Sequence, residues 1–110
     1  MTRLLEEVRT FLPPDRAVRE VRMFGGWSVM LEDRMLASVR KDGSLLVRVD
    51  PTRAPALLAV EGAQPAAMAH RTMGPGWIAV SAEAVSTPQQ VGFWLTAALE
   101  HHAAQADSPG

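Results

Sequence analysis

The sequence predicts an α+β domain: a helix, a three-strand antiparallel meander, a second helix, two further strands and a closing helix. The five strands form one antiparallel sheet with the helices packed on it. Three observations carry this. Apolar residues recur at helical spacing at both ends of the chain: Leu4, Leu5, Val8, Phe11 and Leu12, then Val91, Trp94, Leu95, Ala98 and Leu99. Between them lie short segments bounded by turn residues, one of which (Leu45 to Val49) alternates at the strand period. The strands come in groups rather than singly between long helices, which favours an antiparallel sheet over a parallel one. At 110 residues, with no linker and no internal repeat, the chain is read as one domain over residues 1–105 with a flexible tail at 106–110.

The first helix spans residues 3–12, with Thr2 as its N-cap and Glu6 and Glu7 near the positive end of its dipole. Pro13-Pro14 stops it, since neither proline has a backbone N–H to donate. A strand then runs from Val18 to Leu31 through Gly25-Gly26. A glycine pair inside a strand marks a bulge, a bend or a close backbone approach. Glu32-Asp33-Arg34 turns the chain into strand two, about Met35 to Arg40, and strand three covers Ser44 to Val49. The junction of these two strands is legible in detail. A two-residue loop would put Ser38 and Arg40 on the buried face. A three-residue loop, Lys41-Asp42-Gly43, pairs Val39 with Leu45 and Ala37 with Val47 and places Gly43 where a left-handed residue is needed. The first hairpin admits no such decision, because its residues are apolar on both faces.

Asp50-Pro51 opens a short helix to about Val60, with Asp50 or Thr52 as cap and Gly62 at its C-terminal end. Residues 62–67 read as a loop, Met68 to Met73 as a fourth strand, Gly74-Pro75-Gly76 as a turn and Trp77 to Ser81 as a fifth strand. Thr87-Pro88-Gln89-Gln90 carries the best start signal in the chain, a capping box with proline at the first helical position. Its helix runs to about Gln105.

Composition narrows the function. There is no cysteine, hence no disulfide, thiolate nucleophile or Cys-type zinc site. No segment has signal-peptide or membrane-span character, and the cytoplasm is the simplest placement. The net charge of −1 argues against a strong nucleic-acid footprint.

Met23-Phe24-Gly25-Gly26, followed by a strand, a turn, Met35 and Leu45-Leu46-Val47-Arg48-Val49-Asp50, resembles the TfoX/Sxy N-terminal-domain family. Arg71 to Val80 and the closing helix with Trp94, Ala97 and Ala98 are similar to small members of it, so the resemblance spans about residues 4–104. A rival resemblance, to YjbR-like small domains, lacks the Met-Phe-Gly-Gly segment. One departure is Asp33-Arg34, where the family usually has Asp-Gly. Another is that the chain stops where the full-length competence regulators continue into a C-terminal domain. The resemblance implies a bacterial α+β domain similar in architecture to type III secretion chaperones, acting as a regulatory or protein-interaction domain. It supplies no catalytic residues and no cofactor.

The residues themselves agree. His101 and His102 diverge by about 100° on a helix and cannot hold one ion as an i,i+4 pair could. No serine sits in a nucleophile elbow. The glycine pairs match no phosphate-binding pattern, and Glu6-Glu7 and Glu32-Asp33 read as solvated charge. If Arg40 and Arg48 share the outward sheet face they make a basic patch for an anionic partner, but no aromatic side chain is clearly interleaved there for base stacking. The expected partner or ligand surface comprises Met23, Phe24, Gly25, Gly26, Met30, Leu36, Leu46, Met73 and Trp77. The expected partner is a protein or a second copy in a two-fold dimer, because Leu36, Leu46, Met30, Phe93 and Ala97 fall off the core stripes. Specific nucleic-acid binding and membrane association are not expected. The alternative is a small-molecule-binding protein or cryptic enzyme with a pocket near the Gly25-Gly26 strand and Trp77.

Overall fold

The computed structural model describes residues 2–23, 26–68, 71–72, 74 and 76–107; for Thr2, Met23, Ala67, Met68, Arg71, Thr72, Ala106 and Asp107 it describes the backbone alone. Helix α1 (Thr2–Thr10) leads into strands β1 (Val18–Met23), β2 (Gly26–Leu31), β3 (Arg34–Arg40) and β4 (Leu45–Arg48). After helix α2 (Ala54–Leu57) come β5 (Ala63–Pro65), β6 (Ala67–Met68), β7 (Arg71–Thr72) and β8 (Trp77–Val80). A 3-10 turn at Ala82–Val85 precedes helix α3 (Pro88–Asp107). The α+β class therefore holds, but the sheet has six antiparallel strands, in the order β1-β2-β3-β4-β8-β5, beside a separate β6-β7 hairpin.

Three corrections account for the extra strands. The expected strand through Gly25-Gly26 is a hairpin, with Met23 opposite Gly26 and Val18 opposite Leu31. The glycine pair marks a reversal rather than a bulge, and its first glycine, like Phe24, lies outside the described residues. Gly26 is needed for space, since a methyl there would run into the backbone of Val39 and Arg40. The expected loop at 62–67 contains β5, a short edge strand on β8, with Ala63 opposite Val80. The expected fourth strand is likewise split into β6 and β7.

The bulge lies instead in the next pair. Between β2 and β3 the register shifts at Val29/Met30, so Leu36 is the extra residue. Glu32 and Asp33 form the two-residue loop with φ of 52° and 66°, the left-handed pair a tight hairpin requires. The β3-β4 register is the predicted one, Val39 opposite Leu45 and Ala37 opposite Val47. Gly43 takes φ +86° and its N–H donates to the Arg40 carbonyl at 3.0 Å.

The helix ends follow their local chemistry. Thr87 and Gln90 complete the reciprocal capping box: the Gln90 N–H reaches Thr87 Oγ1 at 3.2 Å and the Thr87 N–H reaches Gln90 Oε1 at 3.1 Å. α3 continues to Asp107, two residues past its expected end. Thr2 is the first residue of α1, one place inside the expected cap. α2 is a single turn. Asp50 does not cap it; its Oδ1 accepts from the N–H and hydroxyl of Thr52 in a turn that sets the helix up.

All three helices pack on one face of the sheet. Leu4, Leu5 and Val8 of α1, Leu57 of α2, and Val91, Trp94, Leu95 and Ala98 of α3 share one core with Val29, Leu31, Val39, Leu45, Val47, Ile78 and Val80. The other face carries a second, smaller cluster of Leu46, Ala66 and Ala79, edged by Met35 and Trp77. Ala66, the residue that follows β5, packs on Leu46, which is fully buried within the one chain.

Candidate functional site

Register separates the two features of the expected pocket, the Gly25-Gly26 strand and Trp77. Gly26 lies opposite Arg40, at the end of β3 that leads into β4, whereas Trp77 lies opposite Arg48, at the far end of β4. Gly26 and Trp77 thus sit at opposite ends of the sheet, three strands apart. Of the two, Trp77 lines a groove that Gly26 does not reach.

That pocket is an open groove of about 400 Å³ between the α2 turn and the start of β8, lined by Pro51, Ala54, Pro55, Leu58, Pro65 and Trp77, with Ile78, Gly74 and Gly76 beneath. Each wall has a local cause. Pro55 is tolerated in α2 because it stands in the first turn. Pro65 can close the sheet because β5 is an edge strand. Gly76 takes φ +92° and its carbonyl accepts from the Val49 N–H at 2.7 Å; a Cβ there would stand 2.7 Å from the Val49 oxygen and 3.3 Å from Pro51 Cγ. Only glycine lets the turn lie this close to Pro51, and that closeness makes the floor.

The lining is almost wholly apolar, and the polar groups stand around it. The Arg48 guanidinium lies 5.5 Å from the Trp77 ring centroid, a cation–π contact on the outer face. This places an aromatic on the outer face beside Arg48, where none was clear from the residue pattern. Arg53 pairs with Glu100 at 2.8 Å on the other flank. Asp50, held by Thr52, has its carboxyl below the usual range, first through the Thr52 N–H and then its hydroxyl. Burial, and next the charge of Arg48, hold the His101 imidazole below its usual range, with Asp50 opposing them. An apolar centre with a polar rim is also the arrangement found in many protein interfaces.

Nothing catalytic converges elsewhere among the described residues. Ser28 and Ser38 are fully buried and bond each other at 3.2 Å, and Ser38 Oγ also donates to the Trp27 carbonyl at 3.3 Å. His102 is buried, with Nε2 3.1 Å from Glu32 Oε1; an ionised carboxylate only accepts, so Nε2 carries the hydrogen. That bond, and after it Arg16 at 2.7 Å, holds the Glu32 carboxyl below its usual range. The network ties the β2-β3 turn to α3. Among the described residues no group of three His, Asp or Glu side chains could hold a metal ion. No described helix is long and apolar enough to cross a membrane.

Several expected surface residues lie inside. Leu46 is 0% exposed and Leu36 1%, and Ala97 is also buried, so an outer apolar patch built on them does not form. Leu36 is drawn in by the bulge, and Leu46 is covered by Ala66. Met30 is half-buried, and Phe93, 47% exposed, meets Trp94 edge to face at 5.1 Å. The side chain of Met23, and all of Phe24, Gly25 and Met73, lie outside the described residues. Of the expected surface, Trp77 alone among the described residues lines the groove. The proline cluster around it, Pro51, Pro55 and Pro65, was overlooked; its signal was three rigid apolar residues within fifteen positions of one another.

A family model described as the TfoX N-terminal domain matches residues 11–102, most of the chain, and the chain belongs to that family. No curated protein and no solved structure matches it.

Proposed function

We propose that this TfoX N-terminal domain is a small regulatory module that works by docking a partner protein in the groove at Trp77, without catalysis of its own. Membership of the family supports a regulatory domain in general terms. The observation that carries the docking reading is the groove itself: apolar through its centre, proline-walled, with an accessible tryptophan and charges only at the rim. Tryptophan in such a setting is the residue type that most often anchors a protein interface, and prolines present a preformed surface that loses little entropy on binding.

Sequence-specific DNA binding is no part of this proposal. Arg3, Arg9, Arg16, Arg19 and Arg53 each pair with a carboxylate, and Arg22 and Arg48 lie over tryptophan rings, so few arginines are disposed toward phosphate. Gel shifts showing sequence-dependent affinity with a steep salt slope would overturn this part.

A second reading has one observation in its favour. A groove of about 400 Å³ falls in the range that suits a small molecule. Peptide display against the purified chain, run beside a thermal-shift screen of metabolites, separates the two. Docking predicts selected peptides that share an apolar anchor and lose at least about tenfold in affinity on Trp77→Ala. A metabolite that raises the melting temperature, with no such peptides, would replace the docking reading by the small-molecule one.

A further inference from the structure

The sheet has two edges, and they are not alike. β5 is three residues long and ends in Pro65, which cannot donate to a neighbouring strand. β1 is six residues long, has no proline and ends the sheet with nothing paired on its far side among the described residues. Its backbone direction follows from the hairpins. Leu31 and Arg34 flank a two-residue loop and point their polar groups at each other, so Met30 points toward β1. Arg19 lies opposite Met30, and the Glu32 N–H donates to the Ala17 carbonyl at 2.8 Å. Residues 17, 19 and 21 therefore bond inward, and the N–H and C=O groups of Val18, Glu20 and Arg22 point out of the sheet.

We infer that β1 is the contact of a two-fold dimer, pairing antiparallel with β1 of a second copy so that the two sheets become one. The charges select this occupant and one register. A two-fold axis normal to the sheet keeps each face on its own side, so opposed residues must share a face. Centring the axis on Val21 sets Glu20 opposite the second copy's Arg22 and Arg22 opposite its Glu20. These are the residues whose backbone groups point outward, so each opposition is a hydrogen-bonded pair as well as an ion pair. Centring it on Glu20 opposes two carboxylates; centring it on Arg19 or Arg22 opposes two guanidiniums. One register is rewarded and its neighbours are penalised.

The side chains are already held for it. Arg9 of α1 grips the Glu20 carboxylate at 2.6 Å through both Nε and NH2, which leaves the carboxylate lone pairs for a further donor. Arg22 lies 5.5 Å over the Trp27 ring, a cation–π contact that leaves its charge un-neutralised and available to a carboxylate set opposite. The surface is distinct from the groove at Trp77, on the other edge of the sheet, so its fate is independent of the docking proposal.

Light scattering of the full chain, from micromolar to sub-millimolar, tests it, with Glu20→Arg and Arg22→Glu made singly. The wild type should show twice the chain mass. Each variant should dimerise at least about tenfold more weakly, since it opposes like charges twice per interface. An equimolar mixture of the two variants should regain the dimer, with one of each, because Arg meets Glu again at both positions. A wild type that stays monomeric throughout, or variants that dimerise as it does, would overturn the inference. If circular dichroism shows either variant unfolded, amide exchange on the wild type decides. The Glu20 and Arg22 amides should slow as concentration rises while those of Arg19 and Val21 stay slow throughout; exchange independent of concentration at Glu20 and Arg22 overturns it.

Discussion

The two faces of the sheet are built from different residues. On the helix-covered face, cross-strand neighbours are large: Val29, Val39, Leu45, Val47, Ile78 and Val80, filled in by Trp94, Leu95 and Val8. Across the other face runs one row of paired residues, Val21, Ser28, Ser38, Leu46, Ala79 and Gln64, in which all but Leu46 and Val21 are small or polar. Small side chains let a backbone approach the sheet closely, and the chain does so at Ala66, which packs on Leu46. The first face supplies most of the burial and hence most of the stability. The second is thinly covered at its centre and opens, at the Trp77 end, into the groove. The lesson is that apolar residues on a second sheet face do not by themselves make a free interface; what the chain lays over them decides.

Leu46→Glu is the harshest way to break this contrast. A carboxylate placed at a fully buried position without a partner costs about 5 kcal/mol or more, comparable with the total stability of a domain this size. Circular dichroism should show a chain largely unfolded at 37 °C. A folded protein of near wild-type stability would mean that the second face is open surface after all.

On the first face, Trp94→Ala removes the largest fully buried side chain and should cost about 3–5 kcal/mol by urea denaturation. Ser38→Ala probes the second face more gently. It strands the buried Ser28 hydroxyl and should cost about 1–2 kcal/mol, whereas Ser28→Ala with Ser38→Ala together should cost less than the single change, because no unsatisfied group remains. Trp77→Ala removes a half-buried ring from the groove margin and should cost about 1 kcal/mol, well below the loss at Trp94.

The pH dependence is the smallest effect and has a definite sign. The folded protein holds His101 below its ordinary value of 6.5, so the unfolded chain binds that proton first. The stability due to this site is present above about pH 6.5 and falls as the pH drops through the lowered folded value. Glu20, Glu32, Asp42 and Asp50 are also held low, and their contributions are lost only on further acidification, below about 4.5. His101→Gln should flatten the limb that begins near pH 6.5 and leave the lower limb in place, as read from melting temperature against pH.

Much of this fold was legible wherever local chemistry was redundant. The β3-β4 register followed from the alternation of Leu45, Val47 and Val49 and from Gly43, two signals that agree. The capping box at Thr87 and Gln90 held because two side chains each satisfy a backbone group of the other. The run from Val18 to Leu31 misled because a glycine pair can mark either a bulge or a turn. Its length was the missed signal, since a fourteen-residue strand is more than twice the usual strand. β5 could not have been read, because Ala63-Gln64-Pro65 has little strand propensity and is held only by its pairing to β8. The same gap hid the groove, whose walls come from α2, β5 and β8, brought together by tertiary pairing. Leu46 was legible as apolar, but its covering came from Ala66, whose place over the sheet the sequence does not mark.

The docking claim meets its most direct test in the tryptophan indole N–H resonances of the ¹⁵N-labelled chain, titrated with the highest-affinity peptide from the display selection. Trp77 borders the groove and Trp94 is buried in the core beneath α3, so the two report from opposite faces. Docking in the groove predicts that the Trp77 resonance shifts and saturates with the binding curve while that of Trp94 stays in place. A saturating peptide that leaves Trp77 unmoved, or that binds Trp77→Ala as tightly as the wild type, would contradict it.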